Sequence, residues 1–368
     1  MNQKVLFILH IPPPVHGSSM VGQFIKQSKR INSEFSARYL NLLASKDVSD
    51  SGKVSLVKIS SFVKIWFILL KELIKYKPDL CYLAITCRGH AFFRDVLLIF
   101  LLKLFRVNLI YHMHNKGVSE VQEYFIYNFF YHLVFKGSNV ILLSKFLYPD
   151  IEKYVAKEQI YICPNGIPEI EQFKLISNEQ SNKVRILFLS NLIETKGVKI
   201  LLEACNKLKD KSIEFECIYI GGEGDISSDQ INAEIQSMNL SDCVTYMGKK
   251  YGKEKEQEFT KADIFAFPTF YEKECFPLVL LEAQQHSLPI ISTYEGGIQD
   301  IVESGKNGYL VPQRDVDELT NKLELLIQKP EIRTQMGNSA RNNYIKKFTL
   351  ERFENRMLEI LKKSLTVS

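Results

Sequence analysis

The chain has 368 residues, 46% hydrophobic and 24% charged, with a formal net charge of +5, a length that exceeds one ordinary core and suits two α/β domains of roughly 150–200 residues each. Seven cysteines (Cys81, Cys87, Cys163, Cys205, Cys217, Cys243 and Cys275) stand in odd number at irregular spacing, which excludes a disulfide framework or paired-cysteine metal site and reads as reduced thiols. Residues 1–170 carry 21 Lys+Arg against 12 Asp+Glu, net +9, and the remainder 26 against 30, net −4, so the first half suits an anionic partner such as lipid headgroups, a lipid diphosphate or nucleic acid, unless its lysines are simply solvated helix faces.

The apolar run at 5–9 meets Pro12-Pro13-Pro14 instead of a small-residue cleavage site, so no targeting segment is expected and the location reads as cytoplasmic. Polar and small residues then open a helical pattern near Ser18. Strand-type runs at 39–43, 80–85, 108–112 and 140–143 alternate with helical patterns near 55–76, 91–106 and 119–136. The apolar runs 65–70 and 96–102 are bounded by Lys64, Lys71 and Lys103 and fall short of the roughly 20 residues a membrane span needs, which leaves lying on a membrane open but not crossing it. After the polar segment 169–183, a second series of runs follows at 184–189, 215–220, 244–247, 264–267 and 289–292, again with helical patterns between them.

Strand–helix alternation predicts parallel sheets covered on both faces. The expected fold is therefore α/β, two doubly wound Rossmann-like domains facing across a cleft, whose ligands bind at the carboxyl ends of the strands. Expected boundaries are 1–165 for the first domain, 166–182 for a linker, 183–348 for the second domain, and 349–368 for an amphipathic helix (Leu350, Phe353, Met357, Leu358, Leu361) that could cross back to the first domain.

The densest chemical signal is the stretch 267–283, a strand end, a loop and a helix start. Pro277 suits the first turn of that helix. Peptide N–H groups in such a turn lack internal partners and carry partial positive charge, so those around Cys275, Phe276, Pro277 and Leu278 can hold a diphosphate without a metal. Glu274 precedes the helix and Glu282 lies inside it, roughly 12 Å further on at helical rise. That span suits opposite ends of a nucleotide sugar, Glu274 accepting from sugar hydroxyls and Glu282 from ribose hydroxyls; the plainer alternative is two solvated glutamates.

The phrase Glu274-Cys-Phe-Pro-Leu-Val-Leu-Leu-Glu282-Ala, with Leu288-Pro-Ile-Ile-Ser292, Gly296-Gly297-Ile298 and Gly305-Lys-Asn-Gly-Tyr-Leu-Val311 downstream, resembles the retaining glycosyltransferases of the large family 4 type, which have the two-Rossmann GT-B fold. Cys275 departs from the family's usual glycine. In the loop Ser190–Val198, the resemblance assigns Lys196 to the donor diphosphate, while Asn191 stands where many members carry an arginine. Gly222, in Gly221-Gly222-Glu223-Gly224-Asp225, resembles a turn near the nucleotide, or is a turn only; Tyr246-Met247-Gly248-Lys249 is similar to the strand end flanking the base. In the first half, the loop 10–19 resembles the one that closes over donor phosphates and acceptor. Gly17 is its candidate donor contact, and His16 either an acceptor-side contact or a structural loop residue. His114 matches a position that contacts the donor sugar, or is a core histidine.

The resemblance implies a retaining, metal-independent transfer of a sugar from a nucleotide diphosphate sugar to an acceptor hydroxyl, with no cofactor, in bacterial cell-surface polysaccharide or lipopolysaccharide assembly. The catalytic candidates are Glu274, Lys196 and His114. Expected partners are the nucleotide sugar, a glycan or lipid-linked acceptor and an anionic membrane surface at the inner face of the cytoplasmic membrane, with no nucleic acid. Asp315-Val316-Asp317 spells a cation motif but opens a helical pattern, where acids cap. A nucleotide-sugar epimerase of the same fold stays open, as does a peripheral membrane or nucleic-acid binding protein, although the latter leaves the glutamate motif unexplained.

Overall fold

The computed structural model describes residues 3–42, 56–170 and 183–366, with side chains of the helix beginning at Leu56 described from residue 62. The chain divides into two compact units, residues 1–166 with 350–368, and residues 167–349.

The first unit runs β1 (Lys4–Leu9), α1 (Gly17–Gln27), α2 (Lys29–Glu34), β2 (Ser36–Asn41), α3 (Leu56–Lys75), β3 (Leu80–Ile85), α4 (Gly89–Leu104), β4 (Asn108–Met113), α5 (Val118–Val121), α6 (Phe125–Phe135), β5 (Asn139–Leu142) and β6 (Ile160–Ile162). Its six strands are parallel in the order β2-β1-β3-β4-β5-β6. Chain order reverses at β1, so the switch point lies between β1 and β3. The steps β2→β3, β3→β4 and β4→β5 all move the same way across the sheet. Right-handed crossovers therefore put α3, α4 and α6 on one face and α1 and α2 on the other.

The second unit runs β7 (Val184–Leu189), α7 (Val198–Asp210), β8 (Phe215–Ile220), α8 (Ser228–Ser237), β9 (Val244–Tyr246), α9 (Gly252–Lys261), β10 (Ile264–Phe267), α10 (Leu278–Gln285), β11 (Ile290–Thr293), α11 (Ile298–Ile301), β12 (Gly308–Val311), α12 (Val316–Gln328) and α13 (Pro330–Lys347). Its parallel order, β12-β11-β10-β7-β8-β9, places the switch point between β7 and β10.

The last helix, α14 (Leu350–Thr366), belongs to the first unit. Its apolar stripe, Phe353, Met357, Ile360 and Leu361, is buried in one core with Val5, Phe7 and Leu9 of β1 and Val21 and Ile25 of α1. Arg30 of α2 reaches Glu351 at 2.5 Å.

Several expected boundaries move. The second strand begins at Ser36, not at residue 39, because its polar first half pairs with β1 while remaining at the sheet edge. The helix expected over 119–136 divides into α5 and α6. Ile167 and Pro168 of the expected linker are fixed on the second unit: the Ile167 N–H donates to the Phe348 carbonyl (3.0 Å), and Gln285 Nε2 to the Pro168 carbonyl (2.7 Å). Residues 171–182 of that segment lie outside the described residues. Strands β6 and β12, three and four residues long, are not among the expected runs; each is fixed by pairing with a neighbour. No helix among the described residues is long and apolar enough to cross a membrane.

Candidate functional site

In the second unit, the loops after β7 and β10 leave the sheet side by side at the switch point, where ligands of doubly wound sheets bind. They are joined through backbone. The Phe270 N–H donates to the Thr195 carbonyl at 2.7 Å. Gly197 has φ +90°, and a Cβ there would sit 2.3 Å from the Pro268 carbonyl oxygen, so only glycine lets the two loops meet.

That closeness brings Lys196 onto Glu274, with Nζ 2.5 Å from Oε2 and the two side chains 15% and 11% exposed. Lys196 Nζ also stands 4.2 Å from the Tyr271 ring centroid, a cation–π contact. The residue the resemblance assigns to the diphosphate and the one expected at the sugar are thus partners of each other. Neither the pair nor Tyr271 was legible from spacing, since the partners lie 78 residues apart in the chain.

The glycines after β11 explain how Glu274 is held. Gly296 has φ +48°, and a Cβ there would lie 2.1 Å from the Glu274 carbonyl oxygen. The Gly297 N–H donates to the Cys275 carbonyl at 2.7 Å. The Cys275 and Phe276 side chains are buried, Phe276 packing edge-on against Phe348 with centroids 5.7 Å apart. Their side chains are therefore closed to a ligand. Pro277 is the residue before the helix and not its first-turn member: its ψ of 118° is extended, and α10 starts at Leu278. Proline there has no N–H to contribute. No side chain caps this helix start, which leaves first-turn amides at Leu278 and Val279 for an anion.

Glu282 lies in the second turn of α10, and its Oε1 accepts from Lys255 Nζ of α9 at 2.6 Å. Asn191 ties two loops together, its Oδ1 accepting from the Gly222 N–H at 3.3 Å. Gly222 itself is covered, because a Cβ there would fall 2.2 Å from Lys249 Cε. Lys249 therefore puts a cation beside this turn, next to the Asn191 side chain. It closes the phrase Tyr246-Met247-Gly248-Lys249, where the resemblance points to the base. Asp315 caps α12, its Oδ1 accepting from the Glu318 N–H at 2.9 Å, and Asp317 pairs with Lys207 at 2.5 Å; the two carboxylates serve different partners.

In the first unit, the loop after β1 and the end of β4 hold a histidine group. His16 caps α1: its Nδ1 accepts from the Ser19 N–H (3.3 Å), and the His16 N–H donates to Ser19 Oγ (3.0 Å). His10 Nδ1 lies 3.1 Å from Ser18 Oγ. His114 stands against His112, ring centroids 4.1 Å apart, and His112 Nδ1 lies 2.6 Å from the Tyr82 hydroxyl. Burial pushes His114 down to about 3, helped by His16. Burial pushes His10 to about 3 as well, helped by Arg94, His16 and His114. His16 is lowered by burial. All three are neutral at neutral pH, so His114 can offer a ring dipole or hydrogen bond but no resident charge. Gly17 opens α1 with nothing within 4 Å of where its Cβ would stand; the chain itself does not require glycine there.

Residues 169–343 match the family of glycosyl transferases, group 1. The amylovoran biosynthesis glycosyltransferase AmsK of Erwinia amylovora is 34% identical over 176 residues, 46% of this chain and 42% of that protein; this chain thus spans less than half the length of that curated relative. Sucrose-phosphate synthase from Thermosynechococcus elongatus superposes with a TM-score of 0.76 at 18% identity, covering 100% of both chains. Anabaena HepE in complex with UDP gives 0.76 at 17%, covering 98% of this chain and 100% of its own. Those likenesses establish the fold, the GT-B fold of two parallel six-stranded sheets with flanking helices.

Proposed function

We propose, from the group 1 match over residues 169–343, that this protein is a retaining, metal-independent glycosyltransferase of the family 4 type. It takes a nucleoside diphosphate sugar as donor and serves bacterial cell-surface polysaccharide or lipopolysaccharide assembly, with no cofactor. The observation that carries the reading is the Lys196–Glu274 pair at the switch point, beside the uncapped start of α10. A diphosphate on the Leu278 and Val279 amides draws Lys196 from Glu274 to its own oxygens. Glu274, released, accepts from hydroxyls of the donor sugar. Glu282 accepts from the ribose, exchanging Lys255 for that contact.

The reaction breaks the bond between the anomeric carbon and the diphosphate oxygen and forms one from the acceptor oxygen to the same carbon on the same face. The acceptor proton passes to the departing diphosphate. Charge building on that leaving group is met by Lys196 and the helix-start amides, so the protein supplies position and fixed dipoles, not a nucleophile. Amylovoran assembly by AmsK and UDP in HepE support a polysaccharide acceptor and a uridine nucleotide. The acceptor is a lipid-linked glycan, met at the inner face of the cytoplasmic membrane.

The test is a thermal-shift panel of nucleotide sugars, in which the true donor stabilises by mass action, followed by nucleotide release with and without lipid-linked acceptor and determination of the product's anomeric configuration. Acceptor-dependent release with retained configuration is expected. Release independent of acceptor would replace this reading by an epimerase.

A further inference from the structure

One face of the first sheet is covered by α3, α4 and α6, and the outer sides of these helices are apolar where a helix facing water is normally polar. On α4, Leu97, Phe100 and Leu104 recur at helical spacing and are exposed; on α6, Phe125, Ile126 and Phe129 are exposed, Phe125 at 84%. The α3 helix adds Phe67 and Ile74. Single exposed apolar residues need no explanation, whereas stripes on neighbouring helices mark a surface that something covers.

Charge says what covers it. Among the described residues, the acids within these helices are Glu72 and Asp95, and both are answered, by Arg38 at 2.6 Å and Arg94 at 2.7 Å. Glu123, just before α6, lies 3.6 Å from Lys153. Lys64 and Lys71 within α3, and Arg106 and Lys136 just past the ends of α4 and α6, are exposed. Between α4 and α6 lies a groove of about 770 Å³ with Phe125, Phe129 and Leu133 in its walls and Lys103, His132 and Lys136 among them, and no acidic residue. Lys103 Nζ donates to the Leu133 and Lys136 carbonyls at 2.8 Å each, which fixes one cation beside another. Burial, and then the Lys136 charge, lower its pKa.

We propose that the outer face of α4 and α6, flanked by α3, docks on an anionic phospholipid bilayer, with Phe100, Phe125 and Phe129 among the acyl chains and Lys103 and Lys136 at the headgroup phosphates. A second copy of the chain is a poorer occupant, because a two-fold pairing of this face would set its cations against each other. Aromatic and aliphatic side chains with cations at their border are the composition that lies in a membrane interface. The inference rests on the reading that the acceptor is lipid-linked, and it assigns the contact to one face and to insertion as well as charge.

The experiment is co-sedimentation of the full chain with vesicles of phosphatidylcholine, alone or mixed with phosphatidylglycerol, across a salt series. The parent is compared with a Phe100→Ser, Phe125→Ser, Phe129→Ser triple variant and with Lys136→Glu. The parent is expected to bind the mixed vesicles and to keep a salt-resistant fraction. The triple variant should lose roughly tenfold in partitioning for each ring withdrawn from lipid, with its thermal shift by UDP-sugars unchanged. Lys136→Glu should weaken binding chiefly at low salt. Binding by the triple variant equal to the parent's would overturn this face while leaving membrane association standing. A parent that binds no vesicle would overturn both, and the UDP-sugar shift, measured apart, would still report the donor site. Self-association of the parent that the triple variant abolishes, without vesicle binding, would replace the bilayer by a second copy.

Discussion

At the scale of single residues, the candidate site is held by two ion pairs, Lys196 with Glu274 and Lys255 with Glu282. Lys196→Ala strands a largely buried carboxylate and, on the proposed function, removes a phosphate contact, so it should weaken nucleoside diphosphate more than free nucleoside and cost roughly 1–3 kcal/mol of stability. Glu274→Gln should do the reverse: with Lys196 freed from its carboxylate, diphosphate affinity holds or tightens, while turnover falls by about tenfold or more. Calorimetry with nucleoside, nucleoside diphosphate and nucleotide sugar separates the two, and equal losses for all three ligands would remove both assignments. Asp315→Ala should cost about 1 kcal/mol as a lost helix cap and leave turnover unaffected by EDTA. Loss of turnover in chelator, restored by manganese, would make the motif a metal site.

At the scale of elements, the contrast between two glycines separates architecture from function. Gly296 is demanded by the fold, since φ +48° and a Cβ 2.1 Å from the Glu274 carbonyl oxygen leave a side chain no room. Gly296→Ala should therefore melt earlier by the equivalent of about 1–3 kcal/mol and lose activity through displaced Glu274. Gly17 has open space, and Gly17→Ala should leave stability level or slightly raised, as alanine favours a helix. If a donor comes close to that backbone, Gly17→Ala still loses donor affinity, and a parent-like titration would free Gly17 of the role. In the same loop His16 is already spent as the α1 cap, so His16→Asn, which can still cap, distinguishes a substrate contact from a structural one.

At the scale of the whole molecule, the α14 helix completes the core of the first unit, and Met357→Ala should cost roughly 2–5 kcal/mol in chemical denaturation. Acid should act on the same unit. His10 and His114, held at about 3 in the fold, regain an ordinary pKa near 6.5 when unfolded. Between those values the unfolded chain binds more protons, so stability is full above pH ~6.5 and falls as pH drops toward 3, by about 1.4 kcal/mol for each histidine at pH 5.5. Glu258 and Glu303, lowered in the second unit, withdraw stability only below about 4.5, where unfolded glutamates protonate. Denaturation midpoints of the parent and a His114→Asn variant between pH 7 and 5 check this, and parallel curves would contradict it.

The strand and helix alternation, two sheets of parallel strands and the glutamate phrase at 274–282 were all legible in the sequence, because buried parallel strands are continuous apolar runs and helix starts carry local signals. The amphipathic pattern after Thr349 was visible too, but which core it enters was decided by the packing of Phe353 and Met357 against β1. What sequence could not show is what depends on the return of distant loops to one sheet edge. The pairing of Lys196 with Glu274, the Lys249 side chain over Gly222 and the Lys255 contact to Glu282 each join residues 27 or more positions apart. Sequence spacing carries local periodicity; the chain order of the sheet, reversing between β7 and β10, decides which loops are neighbours, and with them which charges meet.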